Sequence, residues 1–411
     1  MTIARRPEKQ LNYRATTEAG ATDRAVSRRR IASMPLGPFR AVDQWLTRCL
    51  HDAGRGIPAP GGPAPDDWSA VLATAERHGL GAALGWAVRA RGDVPAAVRA
   101  AGERQLAHGA ARHLLMTNGL VQVLRACAAD GIPVIPLKGP ALAEALYPHP
   151  GMRPCNDVDV LVRPADARHA DGVLRRLGYA SYDDAHSWDF DLAYDHATLY
   201  ERTDGVRVDL HWRLLNDPRY TGDVDAGVWD RATEQEIAGL RARVLSREDV
   251  LLHLAVHLAV HHALDGLVWY WDLALLVERW GPEIDWQAVV TRALAGHVRR
   301  ALFHALAGLH ATFGVSAPTD ALARLAVHGP RAALVGWLLR HAPASRLEYL
   351  LPLLLIDRAR DLPGVVRAAL VPPPRWVRAR YGGNGSLARP YLTHYRRLGH
   401  IVLGGGPRGT L

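Results

Sequence analysis

The chain has 411 residues, 48% of them hydrophobic, and a net charge of +9. That is long enough for two or three domains and a sizeable core. Its three cysteines, Cys49, Cys127 and Cys155, are odd in number and widely spaced, which argues against a disulfide framework or a zinc motif and fits a reducing, cytoplasmic setting.

Only Lys9 and Lys138 among the 50 basic residues are lysines. With abundant Ala, Gly and Pro, this skew reads as a GC-rich, bacterial coding bias, so the basic balance is discounted as evidence for nucleic-acid binding. Residues 1–36 are polar and arginine-rich and read as a disordered basic tail. They lack the apolar stretch of a secretory signal, and Met34 is an alternative start. No apolar run approaches the roughly 18 residues of a membrane helix. The nearest, Tyr349 to Ile356, is short and contains Pro352.

A helical region spans 37–130. Its periodicity predicts helices over Phe39–Ala53, Asp67–Arg91, Pro95–His108 and Ala111–Asp130, with a Pro/Gly linker at Pro58–Pro65 and a stop at Gly131. The character changes over 131–215. Ile132–Leu137 is a short apolar run read as a strand. Lys138-Gly139-Pro140 turns into a short helix, Ala141–Tyr147, with proline well placed in its first turn. A strand follows at Asp157–Val162, then a helix at Ala165–Leu177. His196–Arg202 and Val206–Trp212 flank Asp204-Gly205, a strong hairpin signal. From 216 to 411 the chain reads as mostly helical, with candidates at Glu248–Leu264, Val268–Trp280, Trp286–Phe313, Asp320–His341 and Pro390–Leu398. The fold class is α+β: a small α/β core between helical N-terminal and C-terminal segments.

The chemistry concentrates in that core. Side chains two apart on a strand share a face, so Asp157 and Asp159 would repel each other among Val and Leu unless something neutralises them. A hard divalent cation does so and leaves room for phosphates. Asp209 lies on the polar face of the second hairpin strand, with Arg207 and His211, and could pair beside them. Gly139 sits where a glycine lets backbone approach a ligand, and the helix start behind it attracts an anion. Lys138, in a chain that has replaced nearly every other lysine, suggests a need for a compact point charge. Lys138, Gly139 and Arg153 are therefore the candidate phosphate contacts. Asp157, Asp159 and Asp209 are the candidate metal ligands and catalytic carboxylates.

The stretch Leu137-Lys138-Gly139-Pro140-Ala141-Leu142, Leu146-Tyr147-Pro148, Gly151-Met152-Arg153 and Asp157-Val158-Asp159-Val160-Leu161-Val162, followed by Val208-Asp209-Leu210-His211-Trp212-Arg213, resembles the uncharacterised nucleotidyltransferase family of the DNA polymerase beta superfamily. The likeness runs from about 65 to 400, and its specific part lies between 132 and 213. It implies a minimal nucleotidyltransferase core at 131–215. It further implies an NTP substrate, with ATP the first candidate, and an acceptor hydroxyl or phosphate. Two Mg²⁺, or Mn²⁺ in their place, would sit about 4 Å apart to stabilise attacking and leaving oxygens. By this resemblance Gly139 takes the superfamily's glycine role, Asp157 and Asp159 the metal pair, and Asp209 the third carboxylate. Pro140 stands where the superfamily has serine, which removes one phosphate donor.

His253, His257 and His261 recur every four residues, with His262 adjacent, so the first three share a helix face. The row reads either as a metal, acid–base or phosphate-contact site or as a buried structural helix. Trp269, Tyr270, Trp271 and Asp272 are either the lining of an acceptor pocket or ordinary packing. Two further readings of the whole chain stay open. One is a catalytically silent nucleotide- or partner-binding protein on the same fold. The other is an enzyme modifying nucleic acid, ranked lower for want of a basic–aromatic patch. The acceptor is a small molecule, a peptide or a protein, and no membrane contact is expected.

Overall fold

The structure is a computed structural model that describes residues 41–57, 66–181, 188–215, 224–341, 351–382 and 386–402. The tail at 1–36 and the linker at Pro58–Pro65 lie outside the described residues.

Helices α1 (Ala41–Gly54), α2 (Trp68–Arg77), α3 (Gly81–Val88) and α4 (Ala96–Ala129) come first. The single helix expected over Asp67–Arg91 is broken, because Gly79 takes φ +69° and ends α2. The two helices expected over 95–130 are one of 34 residues. It runs unbroken through Gly102 and Gly109, where missing side chains allow backbone contact. A Cβ on Gly102 would lie 2.5 Å from Gly85 Cα, and one on Gly109 would lie 2.2 Å from Gly151 O. Glycine mid-helix costs about 1 kcal/mol; here it allows α3 and the loop at Gly151 to sit directly on α4.

The core sheet has strands β1 (Ile135–Pro136), β2 (Val158–Leu161), β3 (Ala180–Ser181), β4 (Ala197–Glu201) and β5 (Arg207–His211), in the order β1-β2-β5-β4-β3. Helix α5 (Gly139–Leu146) follows β1, and α6 (Ala167–Arg176) crosses between β2 and β3. A short α7 (Trp188–Tyr194) precedes β4. β2 and β5 are parallel, and β4 and β5 form the expected hairpin around Gly205 at φ +80°. The first strand is shorter than expected: only Ile135 and Pro136 pair, against Val160 and Leu161. On one face of the sheet Val158, Val160, Val208 and Leu210 join Met116 and Leu120 of α4 and Val173 and Leu174 of α6 in one buried cluster. The alternation leaves Asp159, Asp209 and His211 on the other face.

Beyond the sheet, a short α8 (Val228–Arg231) leads to a hairpin of β6 (Thr233–Ile237) and β7 (Leu240–Val244) that the helical pattern had not suggested. Helices α9 (Arg247–Val260), α10 (Leu267–Trp280), α11 (Trp286–Ala295), α12 (Arg299–Phe313), α13 (Thr319–Leu325) and α14 (Pro330–His341) follow. The expected helix at 248–264 stops at Val260, since Ala263 and Leu264 take positive φ. The one expected at 286–313 breaks where His297 takes φ +55°. The one expected at 320–341 breaks before Gly329 at φ +91° and Pro330. In α9 every residue from Asp249 to Val260 is buried, the mark of a helix central to a helical layer. Helices α15 (Leu362–Leu370), α16 (Pro374–Tyr381) and α17 (Ala388–Val402) close the chain. Among the described residues no helix is long and apolar enough to cross a membrane.

Gly85→Ala would place a Cβ 2.1 Å from Gly102 O. Because backbone cannot yield as a side-chain tip does, the expected cost is about 1–3 kcal/mol. Thermal unfolding should show a Tm lowered by several degrees, while Gly92→Ala, which meets nothing within 4 Å, should stay close to wild type.

Candidate active site

The parallel register of β2 and β5 sets Asp159 beside Asp209. Both carboxylates and the His211 imidazole present ligand atoms within 4.8 Å of one another, and all three residues are buried. Lys138 reaches the same point from the turn between β1 and α5. Its Nζ lies 3.0 Å from Asp159 Oδ1, with both side chains almost wholly enclosed. The main chain locks this approach, as Leu137 N–H donates to Asp159 O at 3.0 Å. Gly139 then takes φ +58°, and a Cβ there would stand 3.0 Å from Asp157 O. A side chain is thus excluded by conformation and by space.

The electrostatics follow from burial. Burial alone would raise Asp159, but Lys138 and then His211 hold it well below the usual carboxylate range. Burial opposes charge on His211 as well, yet Asp209 and Asp159 lift it to about 9. Its Nε2 is 3.1 Å from Asp209 Oδ2 and 3.4 Å from Asp159 Oδ1. Asp157 behaves differently. It lies just before β2, whose ladder with β5 starts at Val158, so it is not on the strand with Asp159 as the sequence suggested. Burial and the Asp159 carboxylate push it up to about 7, against the pull of Lys138. The cluster of metal-competent groups among the described residues is therefore Asp159, Asp209 and His211, with Asp157 at its edge and short of a compensating charge.

The histidine row belongs to this neighbourhood. His257 Nε2 is 3.3 Å from Lys138 Nζ and 3.1 Å from His262 Nε2. His261 follows one turn along, 5.0 Å from the His257 ring, and His196 lies between His261 and His211 at 5.3 and 5.4 Å. Burial, then Lys138, drives His253 and His257 well below their ordinary range, so both are neutral. They line a small cavity of about 20 Å³ with Asp249, Leu252 and Val256, space for a single water. His253 Nε2 is buried there without a hydrogen-bond partner. His262 stacks on Trp269 at 4.5 Å.

Arg153 is placed elsewhere. Its Nε and Nη2 each donate to Asp272 of α10 at 2.9 Å, a bidentate fork. Tyr147 O–H donates to Asp272 Oδ1 at 2.5 Å, and the Tyr147 ring meets Trp271 edge-on at 4.8 Å. Asp272 is wholly buried and Arg153 nearly so. This triad ties α5 and the loop after it to α10. Two site residues escaped the sequence reading. His211 was seen only as a neighbour of Asp209 on the polar face, though its offset of two was the signal. Asp272 was grouped with its aromatic neighbours, and nothing in the spacing marks its partner 119 positions away.

Removing one member of a buried ion pair strands the other, at about 3–5 kcal/mol. Asp272→Ala should cost that much in chemical denaturation. Arg153→Lys should also be clearly destabilised, because a point charge cannot replace the fork. An Arg153→Lys protein as stable as wild type would instead free Arg153 for a ligand role.

The comparisons with known proteins agree with the geometry. No curated protein matches the chain. The uncharacterised nucleotidyltransferase family matches residues 64–314, from just before α2 through α12, a span holding both the carboxylate strands and the histidine row. Nucleotidyl transfer, an NTP substrate and divalent metal are general to such enzymes. More than half of the chain lies within that match, and the chain belongs to the uncharacterised nucleotidyltransferase family.

Proposed function

We propose that this protein moves a nucleoside monophosphate from an NTP, ATP first among candidates, to an acceptor hydroxyl or phosphate, with release of pyrophosphate. The observation that carries the reading is the pairing of Asp159 with Asp209 across parallel strands, closed by a lysine at a glycine turn. Burying carboxylates side by side is costly unless cations compensate them. The under-compensated Asp157 beside them, raised to about 7, suits a further cation. Asp157, Asp159 and Asp209 would hold Mg²⁺, which supplies charge stabilisation at the transferring phosphoryl group. Lys138 would give up Asp159 to that ion and turn its ammonium toward the phosphates. Gly139 would leave backbone open to them, with Pro140 offering no N–H. Asp209 would accept the acceptor's proton where it is not bound to metal. The neutral His257 meets Lys138, and His262 in turn meets His257.

A second reading has its own support. Lys138 and His211 already supply two positive charges to Asp159 and Asp209, so the buried cluster is compensated without metal. That favours a nucleotide- or partner-binding protein that does no chemistry. Mg²⁺ has to displace one of these cations for catalysis, whereas the silent protein keeps both.

Titration calorimetry with non-hydrolysable NTP analogues separates the two. Under the catalytic reading wild type binds an analogue only with Mg²⁺, and Asp159→Asn with Asp209→Asn weakens binding by at least about 100-fold. Binding of equal strength with and without Mg²⁺ would favour the silent protein. Lys138→Met adds a readout of metal itself. Without a metal ion it leaves Asp159 to His211 alone, so the variant should unfold earlier than wild type and regain more Tm from Mg²⁺ than wild type does. Equal shifts in both would mean that the metal does not reach Asp159.

A further inference from the structure

From Leu362 to the C-terminal Leu411 the sequence holds eight arginines and no Asp, Glu or Lys. This segment therefore carries a charge of +8, against +5 in residues 1–36 and −4 over residues 37–361. A codon preference explains why arginine stands where lysine would serve. It does not explain the absence of carboxylates, so the concentration of charge needs another account. The segment also lies beyond the residues that the family match covers.

Helices α15, α16 and α17 are held together on their inner sides. His394 of α17 is buried, with Nε2 2.8 Å from Ala369 O of α15. Tyr391 O–H donates to Pro372 O at 2.7 Å, and Tyr381 Oη lies 3.1 Å from His394 Nδ1. The Trp376 ring meets His394 edge-on. The aromatic rings of this unit are thus largely occupied in holding it together.

The outer sides are different. Val366, Leu370, Val371, Leu392 and Tyr395 are each between 45 and 61% exposed, and they make up half of the large apolar side chains exposed among the described residues. Val366 and Leu370 are one turn apart on α15, as are Leu392 and Arg396 on α17. Both helices flank the His394–Ala369 contact, so their apolar stripes belong to one small unit. Arg367, Arg389 and Arg396 are exposed beside those stripes. An apolar stripe flanked by arginines, on short helices too polar to cross a membrane, is the pattern of a helix lying in a lipid–water interface. Phosphate on its own rewards the arginines and gives the aliphatic side chains nothing. Single-stranded nucleic acid rewards aromatic faces, and among the described rings of this unit only Tyr395 is exposed, beside four aliphatic side chains.

We propose that α15 and α17 form an interfacial anchor. Val366, Leu370, Val371, Leu392 and Tyr395 enter the surface of an anionic bilayer, and the neighbouring arginines contact lipid phosphates. The occupant is a membrane surface carrying anionic lipid, and the enzyme core would work from that surface.

The test is co-sedimentation of the full-length protein with phosphatidylcholine vesicles, with and without phosphatidylglycerol. Binding is expected only with phosphatidylglycerol and should weaken as salt is raised. Arg389→Gln/Arg396→Gln should lower vesicle partition about five-fold per arginine. Leu370→Ser/Leu392→Ser should lower it by roughly ten-fold while leaving thermal unfolding unchanged, since both side chains are exposed. Failure to bind anionic vesicles overturns the proposal. So does a leucine variant that binds like wild type, and so does tight, salt-sensitive binding to tRNA with none to vesicles, which would assign the surface to nucleic acid.

Discussion

The Lys138–Asp159 pair is the constraint on which the rest of the site depends. A carboxylate sits in the middle of a valine-rich strand that is buried on both faces, where an unpaired charge costs several kcal/mol. Its compensation arrives from the β1–α5 turn at 3.0 Å. The turn that brings that ammonium in carries the positive φ of Gly139. The same Nζ then meets His257 at 3.3 Å, so one buried cation joins sheet, turn and helical layer. His257 is neutral because that cation stands beside it in a dry interior, and the residues from Asp249 to Val260 are buried because α9 has sheet and helices on its sides.

A second buried charge pair plays a comparable part, and its Arg153 also acts on Asp157. Arg153, Asp272 and Tyr147 are nearly inaccessible, and each satisfies the others. Double hydrogen bonding by a rigid fork gives one allowed register between the loop after α5 and α10. The Lys138–His257 contact fixes the sheet against α9, and the Arg153–Asp272 fork fixes it against α10. Both ties act within one apolar core shared by these elements, to which the fork adds a directional constraint.

What could be read from the sequence was what depends on neighbours in the chain. The alternation in Val158–Val162 and Val206–Trp212 places Asp159 and Asp209 on polar faces. The Asp204-Gly205 turn gives the hairpin, and the Lys138-Gly139-Pro140 run gives the strand-to-helix turn. Helix ends were read less well, since the sequence does not say which glycines break a helix: the expected helices ran through Gly79 and stopped before Gly109. Gly79 is a break, but Gly109 is a contact point with Gly151 inside a continuous helix, and only the folded chain tells the two apart. Asp157 was assigned to the strand because its spacing from Asp159 fits a pleat, yet the ladder starts one residue later. Arg153 resembled a phosphate ligand because its partner lies more than a hundred residues away. The histidine row left two readings open, and the structure explains why: His253 and His257 are deeply buried like structural residues, and yet His257 touches the lysine of the site.

Charge bookkeeping also separates the chain into two electrostatic regimes. Inside, the described cations near the carboxylates are paired at short range, and their effect falls off within the core. At the C-terminal end Arg367, Arg389 and Arg396 are exposed in a segment that holds no Asp or Glu from Leu362 onward, so their field extends about a Debye length, roughly 8–10 Å, into solvent. The first regime determines what the interior can bind, and the second determines what the molecule meets. A basic pI read over the whole chain blends the two and says little about either. Resolved along the chain, the excess sits outside the family match, +8 from Leu362 onward and +5 in residues 1–36, while residues 37–361 sum to −4. It is therefore a property of the two ends and not of the nucleotidyltransferase core.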